Sequence, residues 1–177
     1  KHMASTTINV RSSCKYIYIK SNAYTASATQ GEIVITDLQT GTTSNNVYTI
    51  TYNGPNNFGQ RLIATSDLPS SGRGVFKISI KENGGVVAKK LVLVKCDIDC
   101  CLVKLTNELI DCNCDCAKCA SSLAKAQKIF LLLHSSETAV ASYNDTRQWV
   151  NEGYALDAMN KYKKAKEICD ASCGCDC

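Results

Sequence analysis

The distribution of cysteine constrains this chain more than any other feature of its sequence. Twelve of the 177 residues are cysteine, and eleven of the twelve follow Lys95. Cysteines at this density are commonly cross-linked, either as disulfides or as ligands of a metal ion. The change in composition predicts a domain boundary near residue 95. We therefore expect a tail over residues 1–5, where Lys1-His2-Met3 is typical of a tag remnant, a first domain over 6–95 and a cysteine-rich domain over 96–177.

The first of these domains has the pattern of half-buried β-strands. Apolar and polar residues alternate with a period of two, and turn-forming residues separate the alternating segments. Asn83-Gly84-Gly85 is the strongest hairpin signal, because these residues tolerate the positive φ of tight turns. Without a helical pattern between them, short strands favour an antiparallel β-sandwich. The clearest strands are 16–19, 32–36, 47–52, 75–80 and 87–94, with 61–64 as a weaker one. Their rhythm resembles that of immunoglobulin-like and fibronectin type III-like domains.

The second domain has apolar residues at helical spacing. One stripe predicts a helix over about 98–111, a second covers Ala120 to His134, and a third covers Val140 to Cys169. Ser135-Ser136-Glu137 is typical of a helix start, so we place the beginning of the third helix there. Short connections make neighbouring helices antiparallel. The whole chain is therefore predicted to be α+β in two parts, a sandwich followed by a cysteine-rich antiparallel three-helix unit.

This helix arrangement predicts that two groups of four cysteines converge at one end of the bundle. Their dense Cys-x-Cys spacing suits thiolate ligands, and eight sulfurs are enough for two tetrahedral zinc sites. The predicted ligands are Cys112, Cys114, Cys116, Cys119, Cys169, Cys173, Cys175 and Cys177. A second site at the opposite end would combine Cys96, Cys100, Cys101 and His134.

Two other interpretations of the cysteines stay open. Cys96/Cys100, Cys112/Cys116 and Cys169/Cys173 each have the Cys-x-x-x-Cys spacing of stapled helical hairpins, and an even number of cysteines is compatible with disulfides in a secreted protein. In that case no cofactor is needed. An iron–sulfur cluster is the third interpretation, because the number of thiolates alone permits it.

The composition argues against several function classes. No apolar run reaches the length of a membrane span. Residues 1–95 carry net charge +7 and residues 96–177 carry −3, but the basic residues are scattered, which argues against nucleic-acid binding. His134 is the only histidine outside the tag remnant and lies 15 residues from Cys119, its nearest cysteine in sequence, so a thiol enzyme is not expected.

One stretch around the boundary carries a resemblance. Residues 91–105, which include Cys96, Cys100 and Cys101, together with Cys112-Asn113-Cys114-Asp115-Cys116-Ala117-Lys118-Cys119, resemble small proteins encoded by tailed bacteriophages, including the crAss-like group. The resemblance implies a virion component of the neck, tail or head surface, or an accessory protein in the host cytoplasm. We predict a non-enzymatic structural or docking module that forms homo-oligomers or contacts virion neighbours. The alternative is a zinc-responsive regulatory protein.

Overall fold

A computed structural model describes residues 8–25, 27–53, 58–111, 116–145 and 152–172. The described residues form seven strands and then three helices, which confirms the predicted α+β architecture in two parts. The change from strand to helix falls at Lys95. The strands are β1 (Ile8–Ser12), β2 (Tyr16–Asn22), β3 (Gln30–Asp37), β4 (Tyr48–Thr51), β5 (Phe58–Ala64), β6 (Gly74–Glu82) and β7 (Gly85–Val94), and the helices are α1 (Cys96–Asp111), α2 (Cys116–Asp145) and α3 (Glu152–Ser172).

The strands form two antiparallel sheets that pack face to face. One sheet has the order β1-β2-β5 and the other β4-β3-β6-β7. A seven-strand immunoglobulin constant domain has four strands in its first sheet and three in its second. In this protein β4 pairs with β3, so the first sheet has three strands and the second has four. The core between the sheets is built from inward-facing β-branched and aromatic side chains, among them Ile17, Ile19, Ile35, Phe76 and Ile78, all fully buried.

The β6–β7 hairpin closes as its turn residues predict. Glu82 pairs with Gly85, which leaves Asn83 and Gly84 as a two-residue loop. Their φ angles are 52° and 79°. A two-residue turn with positive φ at both positions matches the right-handed twist of the flanking strands, and asparagine followed by glycine adopts it at low cost.

The helices run antiparallel in chain order. Lys95 Nζ lies 3.1 Å from Glu137 Oε1, and Ser122 Oγ donates to Glu108 at 3.0 Å, so α1 and α2 run in opposite directions. Two further contacts show that α2 and α3 also run in opposite directions. Ser136 Oγ donates to the Ala158 carbonyl at 2.7 Å, and the Tyr143 hydroxyl lies 3.5 Å from Glu152.

The predicted start of the third helix at Ser135 is wrong. α2 continues without a break through Ser135-Ser136-Glu137, and α3 begins at Glu152. The Ser136 hydroxyl does not cap a helix, because it bonds across to α3 instead. Serine is common at helix starts but does not break a helix whose apolar spacing continues on both sides.

The helical part packs on the outer face of the second sheet. Val75 of β6 and Leu91 of β7 point away from the sandwich core and belong to the same buried cluster as Ile98, Leu105 and Ile129. The two parts of the chain therefore share one hydrophobic core along this face. Cutting the chain at the compositional boundary would divide that core.

The end of α2 also bonds to the backbone of β7, the edge strand of its sheet. The Asn144 side chain accepts from the Leu91 amide at 2.7 Å and donates to the Leu91 carbonyl at 3.0 Å. Lys90 Nζ donates to the Asn144 carbonyl. A side-chain amide thus satisfies both backbone groups that Leu91 presents at the edge of the sheet.

Candidate functional site

A disulfide joins the two parts of the chain. Cys14 lies in the turn between β1 and β2, Cys96 is the first residue of α1, and their sulfurs are 2.07 Å apart. The turn is held in place because the Cys14 carbonyl accepts hydrogen bonds from Thr65 Oγ1 at 2.8 Å and from Arg73 Nη1 at 3.0 Å. The disulfide interpretation of the sequence paired Cys96 with Cys100. That pairing is wrong, since Cys96 reaches across to the sandwich instead.

Three of the eight cysteines predicted as zinc ligands belong to described helices. Cys116 begins α2, Cys119 is disulfide-bonded, and Cys169 of α3 is buried in the helical core with 1% of its surface exposed. A sulfur in a disulfide is not a thiolate, so Cys119 does not offer a metal ligand in this state. Cys112, Cys114, Cys173, Cys175 and Cys177 lie outside the described residues, and the zinc cluster they would complete stays a prediction.

The second predicted site is not formed. Cys96 and Cys100 are both disulfide-bonded. Cys101 is fully buried in the helical core, whereas His134 is exposed and its ring stacks on Phe130 at 6.4 Å between centroids. Within the described part of the chain, no group of three or more His, Cys, Asp or Glu side chains is arranged to hold a metal ion.

The contacts between the helices also fix their directions. The contacts described above make α1 and α3 both antiparallel to α2 and therefore parallel to each other, and the Tyr162 hydroxyl of α3 donates to Asp97 Oδ2 of α1 at 2.5 Å. Since α2 is antiparallel to both, the last residue of α1, the first of α2 and the last of α3 point to the same end of the helical unit. These residues are Asp111, Cys116 and Ser172.

Between the sandwich and the helices is a cleft of about 400 Å³. Asp97 lines it, and its carboxylate accepts a hydrogen bond from the Tyr162 hydroxyl and lies 3.8 Å from Lys166 Nζ. Burial, and then the hydrogen bond to Asp97, raises the pKa of Tyr162 above its usual range. The hydrogen bond to Asp170 raises the pKa of Lys166. The cleft is lined by Gln39, Ser70, Arg73, Asp97, Tyr162, Lys163, Lys166 and Glu167, and the Asp97–Lys166 pair links the start of α1 to α3 across it.

Buried tyrosines predict a loss of stability in alkaline solution. Burial and the nearby Glu152 raise the pKa of Tyr143 to about 12, and the pKa of Tyr162 is also raised. An unfolded tyrosine ionises near pH 10, so the folded state holds these protons longer. The stabilisation is complete below about pH 10 and declines above it, by up to about 1.4 kcal/mol per pH unit for each group.

Urea denaturation between about pH 8 and 11, after alkylation of accessible thiols, measures this decline. We expect Tyr143→Phe and Tyr162→Phe each to reduce the slope. Tyr16→Phe, at an exposed ring, is the matched control. Equal slopes in all four proteins would show that the buried phenols do not set the alkaline limit.

The outer face of α2 carries a group of exposed apolar side chains. We define it as Leu123, Gln127, Phe130, Leu131 and His134. Leu123, Phe130 and Leu131 are 46%, 59% and 65% exposed, and the other two are also exposed. Isolated apolar residues on a surface are ordinary, but a contiguous group within three helical turns indicates an interaction surface.

The outer face of α2 is the apolar stripe that predicts a helix over Ala120 to His134, but it is not the face that packs inward. The buried face of α2 is carried by a different stripe, which consists of Ser122, Ile129, Leu133, Ser136, Ala139 and Tyr143. α2 has apolar residues on both sides, so spacing alone cannot determine which side packs inward. Burial is decided by α1, α3 and β7, which cover the side that also carries the small residues.

Comparison with known proteins adds no relative to this description. No family model matches the chain, and neither curated proteins nor solved structures give a significant match. None of the described helices has the combination of length and apolar character needed to cross a bilayer.

Proposed function

We propose that this protein is a non-enzymatic assembly module that associates with a second copy of itself through the outer face of α2. The observation that carries the proposal is the exposure of Leu123, Phe130 and Leu131 on a helix whose other side is packed. Exposed apolar surface of this kind is costly in water and is stabilised when a partner covers it.

The spacing of the outer face fits an identical partner. In an antiparallel pair of α2 helices with a two-fold axis between Phe130 and Leu131, Phe130 meets Leu131 of the second copy. Gln127 then meets His134 of the second copy, and Leu123 meets Thr138, which is also exposed. Apolar side chains thus contact apolar ones, and an amide lies beside an imidazole. Self-complementarity of this kind is what a two-fold interface requires.

The absence of formal charge on the outer face also favours a second copy over a charged partner. None of its five residues is an aspartate, glutamate, lysine or arginine. Electrostatic attraction therefore cannot select a partner here, and packing must do so. A single helix face buries less than the roughly 1,200 Å² of a standard stable interface, so we expect affinity in the micromolar range.

The rest of the molecule supports an assembly role by holding α2 rigidly. The shared core joins the helices to the sheet, and the Cys14–Cys96 disulfide closes the junction. Glu152 at the start of α3 lies 2.6 Å from Lys77 of β6. Disulfides form in oxidising surroundings, which fits a virion surface or a secreted protein. The resemblance to tailed-phage proteins would make the neighbouring copies parts of a virion.

Sedimentation velocity of the full chain over about 1–300 µM tests the proposal. We expect a dimer to form with rising concentration and to disappear in the Phe130→Glu/Leu131→Glu double variant, since each charge would be buried against an apolar partner. Both side chains are exposed, so the fold tolerates the change. Val47→Glu, at a residue 74% exposed on the sandwich, is the matched control and should leave the dimer intact.

A charge-exchange experiment tests the antiparallel pairing itself. Gln127→Lys/His134→Lys and Gln127→Glu/His134→Glu should each be monomeric, because like charges would face each other. An equimolar mixture of the two should form a heterodimer, because every facing pair is then opposite in charge. A wild-type protein that is monomeric throughout the range, or a mixture that stays monomeric while wild type dimerises, contradicts the proposal.

Repeating the sedimentation with a chelator addresses the alternative function. Association through α2 requires no metal, so the dimer should persist in EDTA. Loss of the dimer in EDTA and recovery with zinc would instead favour the zinc-responsive regulator, whose ligands would come from the cysteine group that includes Cys112 and Cys173.

A further inference from the structure

A second surface of the molecule has the properties of a ligand site. A groove of about 520 Å³ opens where β4 and β5 meet, at the opposite edge of the second sheet from β7. Its size lies within the usual range of small-molecule sites. The lining consists of Lys20, Thr49, Thr51, Asn53, Phe58, Gly59, Gln60 and Arg61, and none of these residues is acidic.

The groove exists because the edges of the two sheets approach closely at Gly59. A Cβ atom at this position would lie 2.3 Å from the Thr51 carbonyl oxygen and 2.9 Å from Ile50. Only glycine permits this approach of β5 to β4. The floor of the groove is therefore rigid backbone, with side chains from β2, β4 and β5 around it.

Two cations of the lining lie against aromatic rings. Lys20 Nζ lies 5.4 Å from the centre of the Phe58 ring, and the Arg61 guanidinium lies 5.6 Å from the centre of the Tyr48 ring. No carboxylate in the described part of the chain lies within ion-pair distance of either. Cations that are positioned but not neutralised favour an anionic ligand.

The other side chains add hydrogen-bonding groups suited to hydroxyls. Thr49, Thr51 and Asn53 supply two hydroxyls and an amide, and Gln60 is positioned by a hydrogen bond from the Tyr18 hydroxyl. Phe58 is the single aromatic residue in the lining, so successive nucleic-acid bases would have no series of rings to stack on. A sugar ring, in contrast, needs one aromatic face and several polar groups.

We propose that this groove binds an acidic saccharide, with its carboxylate at Lys20 and Arg61, its hydroxyls at the threonine and amide side chains, and its ring against Phe58. The groove and the outer face of α2 share no residue. This binding is therefore a function beyond self-association, and it holds whether or not the dimer forms.

Titration of the ¹⁵N-labelled full chain with sialyllactose and with a hyaluronan oligosaccharide, followed by NMR, tests the proposal. We expect shifts at groove residues and a dissociation constant below about 10 mM for at least one of the two, and about tenfold weaker binding of uncharged lactose. Lys20→Gln and Arg61→Gln should each weaken binding by about tenfold, because each removes a charge-assisted contact. Phe58→Leu should weaken it through loss of the ring.

Lys81→Gln is the matched control, because it removes a half-exposed lysine of the same sandwich that does not line the groove. The Phe130→Glu/Leu131→Glu variant should bind as wild type does, which separates this test from that of the dimer. Absence of binding by both acidic saccharides up to about 10 mM would overturn the proposal. So would tighter binding of an oligothymidylate at the same residues, which would make the groove a nucleic-acid site.

Discussion

Removal of the Cys14–Cys96 disulfide is expected to lower the free energy of unfolding by about 4 to 5 kcal/mol. The two cysteines are 82 residues apart in sequence, so their bond closes a long loop and excludes many conformations of the unfolded chain. The loss would be a large share of the 5–15 kcal/mol that stabilises a typical domain. The double variant Cys14→Ala/Cys96→Ala removes the bond without leaving an unpaired thiol. Urea denaturation without reductant then compares its free energy of unfolding with that of the wild type.

The double variant isolates the effect of the disulfide, because neither cysteine is buried. Cys14 is exposed and Cys96 is half-buried, so their replacement leaves no large cavity in the core. The double variant should keep the native secondary structure at low denaturant concentration. Each single variant, Cys14→Ala or Cys96→Ala, should lose about as much stability as the double variant, since either one breaks the same bond. A loss below about 1 kcal/mol in the double variant would show that the cross-link does not constrain the unfolded chain.

Replacement of Glu82 by alanine is expected to cost about 3 to 5 kcal/mol. Glu82 is a buried carboxylate, 6% exposed, at the end of β6. It accepts hydrogen bonds from the amides of Tyr24 and Thr25 at 2.8 and 3.1 Å and from the Tyr52 hydroxyl at 3.0 Å. Alanine would leave all three donors without this acceptor, and Tyr52 is only 6% exposed, so water cannot readily replace the carboxylate at its hydroxyl.

Two matched variants identify the cause of the loss. Glu82→Gln keeps one acceptor oxygen and the volume of the side chain, so it should cost less than alanine. Tyr52→Phe removes a single hydrogen bond and should cost about 1 to 2 kcal/mol. Chemical denaturation at pH 7 ranks the three. If Glu82→Ala were no worse than Tyr52→Phe, the two backbone amides would have found other partners, and the carboxylate would not be what positions the segment at Tyr24.

The sequence predicted the sandwich well because strand alternation reports burial directly. Ile17, Ile19, Ile33 and Ile35 fall on one side of their strands, and that side faces the core. The hairpin at Asn83 was predictable because its backbone conformation is a local property. β1 was missed, since its pattern over Ile8–Ser12 is short and only its first residue is buried.

The helical part was less predictable because two of its features depend on contacts distant in sequence. The burial of Ile129 rather than Phe130 is set by what α1, α3 and the sheet cover. The pairing of Cys14 with Cys96 arises because a turn of the sandwich lies beside the first turn of α1. No spacing rule encodes an encounter of that kind, whereas Cys96/Cys100 is suggested by spacing alone and does not form.

The side-chain amide of Asn144 has a consequence for how copies of this molecule can join. By occupying the amide and carbonyl of Leu91, it removes the backbone groups that an incoming strand would need to extend the sheet at β7. Growth by strand addition, the route to fibrils, is thereby closed at that position. A second chain that approached β7 at Leu91 would therefore have only side chains to contact there, and a contact of that kind cannot template an endless sheet.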